Sequence, residues 1–247
     1  MRNLFLTCLL LSCAPIAMAQ DVYPAFAVVE LFTSEGCSSC PPADALLAKL
    51  DAIASKEHRP IYVLSMHVDY WNGLGWRDPF SQKEFTRRQW AYADILGATQ
   101  VYTPQMVING LKSFNGADAS QAIDEINQAL KTVAKAKIAL QVKADDRKIG
   151  LTYQIQGDYQ GTQLHVCLIQ LHASSDVTQG ENAGRQMAHV NIVRDMKTLV
   201  ASTDRGSIDI DRSILSKAQQ GAVVAFLQDS TSGAVLAAAR VELPAIE

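Results

Sequence analysis

Hydrophobic positions fall into two regimes along this chain. In the first, continuous apolar runs alternate with helical spacing. Ala25 to Phe32 is uninterrupted enough to be a strand covered on both faces, and IYVLSMHV, opened by Pro60, is a second. Between them Ala45, Leu46, Ala48, Leu50 and Ile53 form one broad face of a helix running to about Lys56, with Asp44, Lys49 and Asp51 outside it. Strand, helix and strand make a βαβ unit. Residues 67–97 are an insertion containing another helix, with Ser81 as N-cap, Glu84 at N3, Phe80 and Phe85 as staple and Gly97 at its end. Asn109-Gly110 between two short apolar runs predicts a hairpin with a type I′ turn. Asp118 then caps a helix whose apolar face is Ala122, Ile123, Ile126, Leu130 and Val133.

After about Lys135 the period changes to two. Lys137 to Ala144, Lys148 to Gln156, Thr162 to Ala173, His189 to Arg194, Ala222 to Gln228 and Ala234 to Val241 read as strands. The polar stretch SSDVTQGENAGRQ reads as a loop. Closely spaced strands without helical patterns predict a sandwich-like β domain. The expected fold is therefore an α/β domain over residues 20–135, with the insertion at 67–97, followed by a β-rich domain over 136–247.

The first residues belong to neither domain. Arg2, the apolar run Leu4 to Leu11 and Ala17-Met18-Ala19 have the layout of a secretory signal peptide cleaved after Ala19. Leu10-Leu11-Ser12-Cys13 is also an imperfect lipobox, so lipid attachment at Cys13 is the minor alternative. No later stretch is long and apolar enough to span a bilayer. The 247 residues carry a net charge of −3, and loss of the leader leaves 21 basic against 25 acidic groups. That balance gives no reason to expect a nucleic-acid partner.

Removing the leader also changes the cysteine inventory. Of five cysteines only Cys37, Cys40 and Cys167 remain, too few for a disulfide-stapled scaffold. Cys37-Ser38-Ser39-Cys40 sits between a strand and a helix, followed by Pro41-Pro42, which suit a first helical turn. Two cysteines so spaced at a helix start read as a thioredoxin-like redox motif, where free N–H groups and the helix dipole favour thiolate. A disulfide that merely pins the helix start is the plain alternative, although so small a ring removes little loop entropy. A third reading uses the same sulfurs with His67 to hold copper or zinc. A fourth is a non-catalytic binding module.

Other candidates cluster around this motif. HVDYWNGLGWRDPF brings His67, Asp69, Tyr70, Trp71, Trp76 and Asp78 into a stretch that could wall a groove, or could pack as a loop. The run Arg87, Arg88, Gln89 suits a solvated helix face with one inward pairing. Cys167, inside LHVCLIQL, reads as a buried inert thiol. Glu181, Arg185, His189 and Arg194 are candidates for a second polar site, with Glu181 and Arg185 equally able to form an ion pair within their loop.

Four motifs in order, ELFTSEGCSSCPPAD, HVDYWNGLGWRDPF, VYTPQMVING and GENAGR with HVNIVR, resemble domain-of-unknown-function family 1223, secreted bacterial proteins with a thioredoxin-like N-terminal domain. The resemblance implies that fold, export and a C-x-x-C site without a further cofactor, and names no substrate. From the wider thioredoxin-like superfamily it implies Cys37, the more exposed thiol, as nucleophile and Cys40 as resolving thiol. Thr103-Pro104 would be the cis-proline pair of a substrate groove that Ser38, Ser39, His67, Asp69 and Trp71 also line. Gly36 in place of tryptophan, Ser38-Ser39 in place of Gly-Pro, and the 67–97 insertion depart from thioredoxin itself. The function expected is thiol–disulfide exchange outside the cytoplasm with a protein or small thiol, in a direction the motifs leave open.

Overall fold

The computed structural model describes residues 22–216 and 219–245; the leader and Cys13 lie outside the described residues. The elements are β1 (Ala27–Thr33), α1 (Pro41–Lys56), β2 (Ile61–His67), α2 (Lys83–Leu96), β3 (Gln105–Ile108), β4 (Lys112–Asn115) and α3 (Ala119–Ala129). Then come β5 (Ala136–Ala144), β6 (Lys148–Gly157), β7 (Thr162–Val177), β8 (Arg185–Val200), β9 (Arg205–Asp211), β10 (Gly221–Asp229) and β11 (Val235–Glu242). The result is a mixed α/β fold with one large mixed sheet and a second, smaller one.

The large sheet has the order β11-β10-β7-β8-β2-β1-β3-β4, and β5-β6-β9 form the small one. Strands from before and after residue 135 thus share a sheet. The join is narrow: β2 and β8 run parallel and pair through Ser65 and Ile192. Every residue of β1 is buried, which explains why its sequence is apolar apart from Glu30 and Thr33. Its odd positions, Ala27, Val29 and Leu31, pack with Leu47, Leu50 and Ile126 on the face covered by α1 and α3. Its even positions, Val28 and Phe32, pack with Phe85, Tyr92 and Phe226 on the other face. A third core, including Ile149, Leu151, Ile208, Val166, Val223 and Ala225, lies between the small sheet and the β7–β10 part of the large one.

Several local expectations shift. The buried stripe of α1 is Ala43, Leu46, Leu47, Leu50 and Ala54, spaced i, i+3, i+4, i+7, i+11, while Ile53 is exposed. Asp44, placed outside the apolar face by the sequence, is also buried. Helix α2 starts one residue later than expected. Gln82 is its N-cap, and the Ser81 hydroxyl instead donates to the Asp78 carbonyl (2.8 Å). Gly97 closes α2 in the left-handed conformation, and Asn109 and Gly110 both have positive φ, as the I′ turn requires. The expected loop SSDVTQGENAGRQ is shorter than expected: β7 extends to Val177 and β8 begins at Arg185, leaving residues 178–184 as a turn. Strand β9 was missed.

A buried polar knot fastens α2 to both halves of the chain. Arg88 donates to both carboxylate oxygens of Glu30 on β1 (2.5 and 3.0 Å), to the Tyr92 hydroxyl (2.7 Å) and to Gln228 Oε1 on β10 (3.1 Å). Its guanidinium also lies 5.2 Å from the centre of the Phe226 ring. Far from being a solvated face, Arg88 and Gln89 point inward; Arg87 stays outside, paired with Glu84.

Candidate functional site

The chain leaves β1 at Thr33 and turns sharply before α1. Cys37 N–H donates to the Ser34 carbonyl (3.1 Å) and Cys40 N–H to the Cys37 carbonyl (3.2 Å). Cys37 and Cys40 form a disulfide with a Cα–Cα distance of 5.5 Å. Cys40 is the N-cap of α1, and Pro41 and Pro42 fill its first positions. Two of the orphan donors that would face a thiolate are therefore missing, and Ala43 and Asp44 donate their N–H groups to the Cys40 carbonyl (2.9 and 3.1 Å). The helix end is less rich in free donors than the motif alone implied.

Cys37 Sγ lies 3.3 Å from the Ser39 hydroxyl and 3.8 Å from the Thr103 carbonyl oxygen. The Thr103–Pro104 peptide is cis. Trp71 Nε1 donates to Thr103 Oγ1 (2.9 Å), and Trp71 also lies against Gly36, where a Cβ would come within 3.1 Å of its own. A side chain at position 36 would need Trp71 to shift. Trp71, Thr103, Ser39 and the cysteine pair thus form one assembly. Against the expectation of an exposed nucleophile, neither Cys37 nor Cys40 has accessible surface.

The other expected groove residues sit elsewhere. His67 is fully buried, with Nδ1 2.7 Å from Asp78 Oδ2. Asp69 accepts from the Thr86 hydroxyl (2.6 Å) and so tethers the loop to α2. Among the described residues no group of three or more His, Cys, Asp or Glu side chains is placed to hold a metal ion, so Cys37, Cys40 and His67 do not meet as a ligand set. Cys167 is buried and its thiol is pushed up to about 12 by desolvation.

Beneath the disulfide turn lies a cluster of acids and imidazoles that only partly shows in the sequence. His189 Nε2 is 3.1 Å from Glu35 Oε1, and Trp76 Nε1 donates to Glu35 Oε2 (2.8 Å). Asp78 Oδ2 also accepts the Glu35 N–H (2.9 Å). The His67 and His189 rings meet edge to face, 4.6 Å between centres. Thr33 Oγ1 donates to Asp44 Oδ1 (2.9 Å), and His189 Nδ1 is 4.0 Å from the same oxygen. Asp44 Oδ2, Ser65 Oγ, His67 Nε2 and His189 Nδ1 are buried without a hydrogen-bond partner.

Two carboxyls of this cluster are pushed apart. Burial raises Asp44 to about 7, against the opposing pull of His189 and the Thr33 hydroxyl. Burial acts the same way on Asp78, but the His67 ring and the N–H groups of Glu35 and Phe80 outweigh it and hold Asp78 below the ordinary value. One acid is thus poised to carry a proton near neutrality while its neighbour stays ionised. Asp44 was legible in one respect: at i+4 from Cys40 it shares that residue's side of the helix.

The segment 180–194 reaches this site from the far half of the chain. Glu181 Oε2 accepts the Ser38 N–H (3.0 Å); the Ser38 side chain and then this N–H hold its carboxyl below the ordinary value. Arg185 does not pair with Glu181; it donates to Asn182 Oδ1 (3.1 Å). Asn182, not singled out by the sequence, is fully buried. Arg194 lies over the Phe80 ring (5.2 Å) and donates to Gln170 (2.6 Å).

Fold and site together define a mixed α/β protein whose one disulfide among the described residues closes the start of its first helix. The chain belongs to a family of proteins of unknown function, DUF1223, whose sequence profile matches residues 28–228. It is similar to a protein from Agrobacterium tumefaciens known from an X-ray crystal structure, with 29% identity and a TM-score of 0.67, over 90% of this chain and 96% of that one. A β-glucosidase from Kluyveromyces marxianus is also similar over 46% of this chain and 15% of its own, at 10% identity and a TM-score of 0.22, too low for any inference. No curated protein matches. Among the described residues no helix is long and apolar enough to cross a membrane.

Proposed function

We propose that this protein is a thiol–disulfide oxidoreductase acting outside the cytoplasm, its first half a thioredoxin-like domain. The observation that carries this reading is the Cys37–Cys40 disulfide at the head of α1, with Cys37 Sγ set against the Thr103 carbonyl and Ser39 hydroxyl. A partner thiolate attacks Cys37 Sγ, and the S–S bond breaks with Cys40 leaving as thiolate. The partner's second thiol then attacks its own sulfur in the mixed disulfide, releasing Cys37. The partner loses two electrons and two protons; the protein gains them as two thiols.

The signal peptide would deliver the chain to an oxidising compartment, where such a pair persists. Trapping with the reduced Cys40→Ala variant in the native host tests the reading. The steps are reversible: in the variant the free Cys37 thiolate attacks a partner's disulfide, and with no Cys40 thiol to displace the partner the mixed disulfide accumulates and the partner can be identified. An empty trap, with the variant shown to be folded and its Cys37 free, counts against catalysis.

A further inference from the structure

We infer that residues 178–184 form a latch over the redox pair, with Asn182 as its positioning residue; this rests on the exchange chemistry proposed above. Asn182 Nδ2 donates to two backbone carbonyls, Glu35 (2.8 Å) and Cys37 (2.9 Å). One amide group, reaching across 145 residues of sequence, therefore grips the turn that presents the attacked sulfur. Glu181 adds a third bond by accepting the Ser38 N–H inside the C-x-x-C.

The grip is strong at one point and slight around it. Asn182 is completely buried, while residues 178–181, 183 and 184 are exposed. Gly180, at φ +77°, packs its backbone on Trp76 and Gly75, and an added Cβ would come within 3.1 Å of Trp76 Cβ. The two flanking strands end at Val177 and Arg185, where Gly184 N–H donates to the Val177 carbonyl (2.8 Å). Arg185 at the start of β8 also bonds Asn182, through its N–H to the carbonyl (3.1 Å) and its Nη1 to Oδ1 (3.1 Å), contacts that can move with the turn; the hydrogen bonds to the disulfide side are the three named above. Releasing three hydrogen bonds frees it, a change local enough to occur in the folded protein.

The latch fixes the main chain of the turn that carries Cys37, and freeing that turn lets the sulfur move out from Ser39 and Thr103. Cys37 has no accessible surface, yet a thiolate must approach its sulfur along the S–S axis. Lifting 178–184 removes the cover from the Cys37 main chain and frees Ser38 N–H. It leaves the Trp71–Thr103 side of the site in place. The partner then meets the freed Ser38 N–H and the freed Glu35 carbonyl, while the Cys37 carbonyl still accepts the Cys40 N–H; one donor and one acceptor are what a main-chain segment can satisfy.

The test needs no biological partner. The oxidised full-length protein is mixed with dithiothreitol and the loss of the Cys37–Cys40 bond is followed by quenched alkylation. The reagent is oxidised to its cyclic disulfide as the protein gains two thiols. Each hydrogen bond contributes on the order of fivefold to the closed state, so Asn182→Ala should raise the rate by about tenfold or more. Glu181→Ala, at an exposed position that leaves the core untouched, should raise it by a few-fold, and Glu181→Gln, which keeps an acceptor, by less. Thermal midpoints measured alongside separate faster opening from general loosening. Rates within twofold of the parent for both alanine variants, or a slower reaction, overturn the latch. So does a parent protein that is reduced as fast as an exposed disulfide peptide. If the latch fails while the Cys40→Ala trap captures a partner, only the latch falls. If the rates respond while the trap stays empty, the oxidoreductase reading falls and the latch remains.

Discussion

Replacing Asp44 by Asn should remove the loss of stability that this one buried carboxyl imposes between acid and neutral conditions. In the folded protein the Asp44 carboxyl titrates at about 7, against 3.8 ordinarily, chiefly because it is buried, with Asp78 and Glu35 adding to the rise and His189 and Thr33 opposing it. Between those values the native state holds a proton that the unfolded chain has released. Stability therefore falls as pH rises through that window. The contribution is fully present below 3.8 and gone above about 7. At about 1.4 kcal/mol per pH unit, a rise of roughly three units corresponds to about 4 kcal/mol. Asparagine keeps the acceptor for the Thr33 hydroxyl and cannot ionise. Urea unfolding of both oxidised proteins at pH 4, 5.5, 7 and 8.5 gives the difference directly. Relative to the parent, Asp44→Asn should gain about 4 kcal/mol from the lowest to the highest pH. A difference flat to within about 1 kcal/mol across the series refutes the buried-proton account.

Three further expectations follow from the same packing. Arg88→Met leaves Glu30 buried without its cation and should cost about 3–5 kcal/mol in urea unfolding; a loss below about 1 kcal/mol contradicts the knot as described. Gly110→Ala forces a Cβ at φ +70° into the Gly233 carbonyl, and should lower the unfolding free energy by on the order of 2–4 kcal/mol. Cys167, with its thiol at about 12, should resist iodoacetamide at pH 8 in the folded protein and react once unfolded, as mass spectrometry would show. Labelling of the folded chain at the rate of a free thiol sinks that assignment.

The elements easiest to read were those whose sequence has one solution. The largely apolar runs of β1 and β2 need cover on both faces, and Asn109-Gly110 needs positive φ at both turn residues. The outer ends of β7 and β8 were misread because they project beyond the core. Ser174, Ser175 and Asp176 pair with Ala188, Met187 and Gln186 in a ladder held by backbone bonds, which polar residues satisfy as well as apolar ones. Cys37 and Cys40 announced themselves by spacing. Asn182 could not, since a polar residue between two glycines looks like any loop until its partners, 145 and 147 positions away, are seen. Asp44 was assigned to solvent by the usual rule for carboxylates, whereas the cluster that shelters it draws on β1, β2, β8 and the 67–97 insertion.

The meeting of β2 with β8 has an evolutionary consequence. Glu35 and its imidazole partner His189 lie more than 150 positions apart, on segments brought together by that seam. Recombination at residue 135 would hand on a dithiol stripped of residues 178–184 and of one of the two imidazoles beneath it. Lineages carrying this chemistry should therefore inherit the two segments jointly, and length changes should accumulate in the connections remote from the seam.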